Sequence, residues 1–267
     1  MIIGLDNYVT LRESDHRYFD KDGREYMSAS KFLGLFYEPF DANFIAGQVA
    51  ASEGVPKQVI LDRWQAQTDL GTHIHEAIQR YNNTTEMLPE DEYLRPAILN
   101  IAFQYKDYYR RYNEVVLYDK DEFLAGTADH PLVTTSHKNS VIDIGDWKCY
   151  GNGINQKDLD KHGKPRNKYM LHCLDHLQAS SYNKVALQLS LYAYMLQKAT
   201  GRKIGKLFAH WINPINPLIN IQLPVPYMKH EIIAMIAWRK ENATVITTEP
   251  EEKTSAIESF VNDEWDL

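Results

Sequence analysis

Hydrophobic positions recur along the chain with two alternating periods, near two residues in some stretches and near three and a half in others, and this divides it into strands and helices. Residues 16–19 and 25–27 alternate around Asp20, Lys21, Asp22 and Gly23, a hairpin signal. Ser28 or Ser30 then caps a short helix through Phe36 that Pro39 ends. Asp41 caps a second helix reaching about Ser52, and Pro56 opens a third reaching Gln67. Thr68 or Asp69 is a credible cap for a separate helix carrying Gly71, His75, Ile78 and Gln79. After the acidic turn at residues 90–92, a long helix is expected through Leu99, Phe103 and Tyr108 to about Tyr112, with Pro96 in its first turns.

The second half reads as strand first and helix later. A strand at Val115–Tyr118 precedes two strands within residues 122–150, joined by a polar turn at Ser136, His137, Lys138 and Asn139. Between Tyr150 and Ser180 the period is lost, and glycines with Pro165 punctuate a long polar loop. A helix follows from Ser181 to a stop at Gly201, then strands at 207–211 and 218–223 around a proline-rich turn, then a helix from about Met228 to Glu241. This order predicts an α/β fold with a mixed central β-sheet flanked by helices. It suggests residues 1–68 as an N-terminal hairpin and helical module, 69–248 as the core, and 249–267 as an acidic C-terminal tail.

Composition places no membrane in the picture, because no run of about eighteen apolar residues exists. The N-terminal stretch lacks a basic region followed by a long apolar segment, so a cytoplasmic location is expected. Two cysteines, Cys149 and Cys173, are too few for a four-cysteine iron-sulfur cluster and are expected as reduced thiols. A net charge of −7, taken as a total, is unsuited to a polyanionic partner, but the seven acids and one lysine of residues 249–267 supply −6 of it. Residues 148–168 instead gather Lys148, Lys157, Lys161, Lys164, Arg166 and Lys168 against Asp158 and Asp160. Local charge decides where phosphates dock.

The candidate chemistry lies in residues 122–150. Alternation along a strand puts Asp146 and Lys148 on one face, about 7 Å apart, with Trp147 on the other. If the two strands pair through the 136–139 turn, Asp129 comes alongside. Two facing carboxylates repel unless a cation lies between them, and a hard divalent ion with oxygen ligands is the usual answer. A nearby lysine then suits the positioning of water or the offsetting of charge on a phosphate. On the preceding helix, spacing aligns Gly71, His75 and Gln79; His73 and Glu76 face elsewhere. His130 follows Asp129 and faces away from it, and Pro131 suggests that this strand bends or lies at a sheet edge.

Four motifs in fixed order carry a resemblance: GTHIH at 71–75, GTAD at 126–129, DWK at 146–148 and QLSLY at 188–192. Together they resemble the RecB-type, Cas4-like exonuclease branch of the PD-(D/E)XK nucleases, which includes phage and mitochondrial DNA exonucleases. The resemblance implies a restriction-endonuclease-like core and Mg²⁺- or Mn²⁺-dependent hydrolysis of DNA, by an exonuclease above an endonuclease, in phage-type recombination or repair. It implies His75, Asp129, Asp146 and the carbonyl of Trp147 as ligands of one or two ions, and Lys148 with Asp129 and Asp146 as the catalytic set. Gln188 and Tyr192 would contact substrate. Gln79 stands where some relatives place a glutamate, which leaves a second ion in doubt.

The resemblance makes DNA the expected partner; the length and charge of the basic loop suggest a flap in which Lys161, Lys164 and Arg166 hold the backbone, or a solvated insertion. The acidic tail is expected as a docking segment for a partner such as a single-strand-binding or annealing protein, as an acidic strip that competes with DNA for the basic cleft, or as a frayed terminus. An oligomer is left open. No Gly-x-x-x-x-Gly-Lys loop is present, so an ATPase would be a separate chain. The rival reading is a catalytically silent DNA-binding or scaffold subunit that retained the fold.

Overall fold

The structure is a computed structural model and describes residues 6–135, 140–149, 153–157, 164 and 166–242. Three short strands open it: β1 (Val9–Arg12), β2 (Arg17–Asp20) and β3 (Glu25–Ser28). The turn between β2 and β3 closes on Asp20, whose carboxylate accepts the N–H groups of Asp22 and Arg24 at 3.0 and 2.9 Å. Helix α1 (Ala29–Gly34) is capped by Ser28, and α2 (Ala42–Glu53) by Asp41. Both caps satisfy an otherwise orphaned N–H with a side-chain oxygen.

Helix α3 (Lys57–Thr84) then runs without a break for 28 residues. The helix start expected at Thr68 or Asp69 does not occur, and the boundary drawn between residues 68 and 69 falls inside α3. Thr68 turns its hydroxyl back onto the Trp64 carbonyl, and Asp69 accepts from Gln65 one turn earlier. Residues that cap helices from outside are compatible with a helix interior when such local bonds occupy them. A 3₁₀ turn (Pro89–Leu94) leads into α4 (Arg95–Gln104), which is shorter than expected. Tyr105 is buried, and beyond it the chain reverses into β4 (Arg110–Arg111), whose pairing with a later strand ends the helical run before Tyr112.

The remaining elements are β5 (Val115–Asp119), β6 (Leu124–Ala128), β7 (His130–Val133), β8 (Ile142–Lys148), α5 (Ser181–Thr200), β9 (Ile204–Ile212), β10 (Asn220–Val225) and α6 (Lys229–Glu241). The class is the α/β one, with helices flanking mixed sheets. The strands divide between two five-stranded sheets, ordered β1-β2-β3-β6-β5 and β10-β9-β8-β7-β4. Each is antiparallel apart from one parallel pair, β3 with β6 and β8 with β9. The N-terminal hairpin is therefore bonded to β6.

A main core unites both sheets with α1, α5 and α6. Helix α5 is buried on most sides, through Val185, Leu189, Ala193 and Leu196 among others. A second core covers the opposite face of the second sheet, where Ile74 and Ile78 of α3 and Ile98 and Ile101 of α4 meet Leu132, Trp147, Phe208 and Ile212. Each such aliphatic side chain contributes roughly 1.5–3 kcal/mol when fully buried.

Pro131 lies in β7 between β8 and β4, so its strand is not at a sheet edge. Its carbonyl accepts the Tyr112 N–H at 3.0 Å. The polar turn at 136–139, Lys161 and the acidic tail at 249–267 lie outside the described residues. The described part of residues 150–180 holds only a 3₁₀ turn (His172–Leu174) and one bridge, Tyr169 with Gln178. No helix among the described residues is long and apolar enough to cross a membrane.

Candidate active site

Strand β6 belongs to one sheet and β7 to the other, and the single residue between them is Asp129. Its backbone stays with the first sheet, where its carbonyl accepts the Glu114 N–H at 3.0 Å. Its carboxylate reaches the second, where Oδ2 accepts the Trp147 N–H at 3.0 Å. The β7–β8 ladder pairs His130 with Gly145. Extending that register by one step places Asp129 opposite Asp146, and the two acids meet across neighbouring strands.

Asp146 is 2 % exposed, and its Oδ2 meets no hydrogen-bond donor in good alignment among the described residues. The Lys148 ammonium stands 3.0 Å from that same oxygen, at ion-pair distance. The pair shares one face of β8, as strand parity requires. His75 approaches from α3, with Nδ1 3.8 Å from Asp129 Oδ2. Four side chains, from α3, β8 and the β6–β7 junction, thus surround the backbone of Trp147.

Burial and like charge set the protonation of this group. Asp129 is pushed well above the usual carboxylate range, first by burial and then by Asp146, while Lys148 and the Trp147 N–H pull the other way. His75 is lowered to about 4, chiefly by burial and then by Lys148; Asp146 and a hydrogen bond with the Trp147 backbone oppose the shift. Its side chain keeps 32 % of its surface open, but protein encloses it on most sides, so the imidazole is neutral at pH 7. Among the described residues, no three His, Cys, Asp or Glu side chains stand together at metal-holding spacing.

Gly126 explains how α5 comes so close. A β-carbon at this position would lie 2.7 Å from Cε1 of Tyr192 and 2.9 Å from the β-carbon of Ala29. Tyr192 is buried there, accepts from Gln188 Nε2 at 3.3 Å, and has its hydroxyl held well above the usual range by burial, then by Tyr18 and Asp146. Gln188 and Tyr192 therefore lie beside the acids. Tyr18, from the N-terminal hairpin, joins them: its hydroxyl is 3.0 Å from Thr127 Oγ1. Local pattern gave Tyr18 no role, because only the parallel pairing of β3 with β6 carries the hairpin to this place.

The Trp147 ring points away from the acids into the second core, between His130 and His210 at centroid distances of 4.8 and 5.5 Å. His130 is buried with Nδ1 on the Tyr112 carbonyl, and His73 pairs with Asp91 at 3.0 Å. Glu76 is exposed. Lys164 is exposed and Arg166 half-buried in a stretch without regular structure. Cys149 is buried and Cys173 half-buried.

No protein-family model matches the chain, and no curated protein matches it either. Its fold is similar to the crystal structure of an exonuclease candidate from Eubacterium rectale, at 12 % identity and a TM-score of 0.41, over 86 % of this chain and 85 % of that one.

Proposed function

We propose that the chain is a divalent-metal-dependent deoxyribonuclease, an exonuclease of the phage recombination or repair type. The observation that carries this reading is the meeting of Asp129 and Asp146 across adjacent strands, with neutral His75 and the Lys148 ammonium against them. One buried and one half-buried carboxylate with a neutral imidazole are a donor set for a hard cation. Asp129, pushed upward by burial and by Asp146, marks a place where two carboxylates share the single Lys148 ammonium.

His75, Asp129, Asp146 and the Trp147 carbonyl are the proposed ligands of Mg²⁺ or Mn²⁺. Such an ion supplies a lowered water pKa and offsets charge on the reacting phosphate. The protein does the rest. The Trp147 N–H fixes the Asp129 carboxylate, His75 keeps its lone pair by staying neutral, and Lys148 moves between Asp146 and the attacking water or phosphate oxygen. Tyr192 and Gln188 hold the substrate strand beside the acids, and Lys161, Lys164 and Arg166 grip its backbone.

That no three acidic or histidine side chains among the described residues stand at metal-holding spacing favours a second reading, a silent subunit that binds DNA without turnover. One experiment separates them: the purified chain with linear and circular duplex DNA and Mg²⁺, beside Asp146→Asn. Loss of linear DNA alone, abolished in a folded mutant that still binds DNA, supports the exonuclease. Retention of both DNAs by the wild type supports the silent subunit. Equal degradation by wild type and mutant removes Asp146 from the chemistry.

A further inference from the structure

The ladders of the second sheet place Lys148 beside Trp211 and Trp211 beside Ile221. Residues paired this way share a face, so the three form one row across β8, β9 and β10. It is the face that carries Asp146, since Asp146 pairs with Ala209 two positions earlier in the same strand. Strands are about 4.8 Å apart, so the Trp211 position lies about 5 Å from that of Lys148 and the Ile221 position about 10 Å away. Trp211 is half-buried, and Ile221 is 46 % exposed although it is a large aliphatic residue on a sheet. In the turn between β9 and β10, Ile215 and Leu218 are both exposed.

We infer that Trp211 and Ile221 form a stacking platform for the base of a nucleotide whose phosphate lies at Asp129, Asp146 and Lys148. This deepens the nuclease reading and rests on it. A platform that begins one strand from the lysine and extends two strands out spans the distance from a phosphate to the far edge of its own base. Indole offers a large flat surface that any base accepts, and an aliphatic neighbour extends it without demanding a hydrogen-bond pattern. The backbone of Gly153 passes the indole, where a β-carbon would stand 3.7 Å from ring carbons. The basic segment thus starts at the platform. A base lying on Trp211 is out of its duplex stack, so the site takes an unpaired nucleotide, and a frayed or single-stranded end is a better substrate than a blunt paired one.

The test varies both partners. Binding of the full-length chain, in EDTA, is measured by fluorescence anisotropy for single-stranded oligonucleotides that carry one abasic nucleotide at each of the first three positions from either end. The same set is bound to Trp211→Ala, Trp211→Phe and Ile221→Ala, and cleavage with Mg²⁺ is followed in parallel. At one abasic position the wild type should bind roughly tenfold more weakly than to the intact strand. Trp211→Ala should bind intact and abasic strands equally, and Trp211→Phe should restore most of the difference, a coupling that lost folding does not produce. Wild-type protein that cleaves linear DNA but binds every abasic strand as tightly as the intact one overturns the platform alone. So does an abasic penalty that persists in folded Trp211→Ala. Wild-type protein that neither binds nor cleaves any of these strands overturns the nuclease reading and the platform with it.

Discussion

The N–H of Trp147 donates to Oδ2 of Asp129 at 3.0 Å, while the carbonyl of Asp129 accepts the N–H of Glu114 in the other sheet. One residue is thereby fastened to two sheets, by its backbone on one side and its carboxylate on the other. Glu114 adopts a left-handed φ of 47° where it meets Asp129, a conformation that costs a non-glycine residue on the order of 1 kcal/mol. The position of the acid is consequently set by the junction of the sheets.

Charge on Asp129 works against the fold. Its folded pKa lies above the ordinary 3.8, so the folded protein holds the proton more tightly, and stability falls as pH rises from about 4 through the raised value. Asp129→Asn keeps an acceptor for the Trp147 N–H and removes the charge. In thermal denaturation from pH 4 to 8, its Tm should gain on the wild type as pH rises. Added Mn²⁺ should raise the Tm of the wild type and leave that of Asp129→Asn unchanged, and DNA cleavage by the mutant should fall by about 10² or more.

Buried histidines impose the opposite slope. His130 is lowered to about 3 and His210 to about 4, each mainly by burial, and His75 to about 4. The unfolded chain takes up these protons near pH 6.5, so stability is lost as pH falls from 6.5 toward 4, by up to about 1.4 kcal/mol per pH unit for each histidine. Three histidines outweigh Asp129 over this window. His210→Gln retains an amide for Tyr105 or Asn220, its partners at 3.1 and 3.4 Å, and should flatten the urea-derived stability profile below pH 6.5 by one proton's slope.

Gly126→Ala introduces a methyl group into the contact between β6, Tyr192 and Ala29. Overpacking of this kind costs about 1–3 kcal/mol. The cost should shrink when Tyr192→Leu is added, because the shorter side chain withdraws the atom that clashes. Chemical denaturation of the single and double mutants measures this as a departure from additivity.

Phosphate contacts by the basic segment are read from salt. Lys164→Gln and Arg166→Gln should each reduce the slope of log affinity for duplex DNA against log salt by about 0.9, with Lys161→Gln doing the same. An unchanged slope would leave those side chains in contact with solvent and protein only.

Elements whose ends are fixed by neighbours in sequence were legible without coordinates. Ser28 and Asp41 each cap a helix with their own oxygen, and Gly201 closes α5 at φ 66°. The β2–β3 hairpin was legible through its Asp20 turn. The start assigned at Thr68 or Asp69 was not, because a polar residue that caps a helix also fits within one when another turn satisfies its side chain. Strands β1 and β4 went unread, β4 because two residues carry too little alternation to register.

Sequence by itself determined one part of the candidate site's arrangement: Asp146 and Lys148 on a single strand face, Trp147 on the other, and His75 a turn from Gly71 on a helix. These follow from backbone periods that each segment keeps wherever it is placed. The division into two sheets at Asp129, the arrival of Tyr18 at Thr127 and the row formed by Lys148, Trp211 and Ile221 were decided only in three dimensions. They depend on which strands pair and in what register, and pairing between segments up to about a hundred residues apart is chosen by the burial of both cores together. No local period contains that choice.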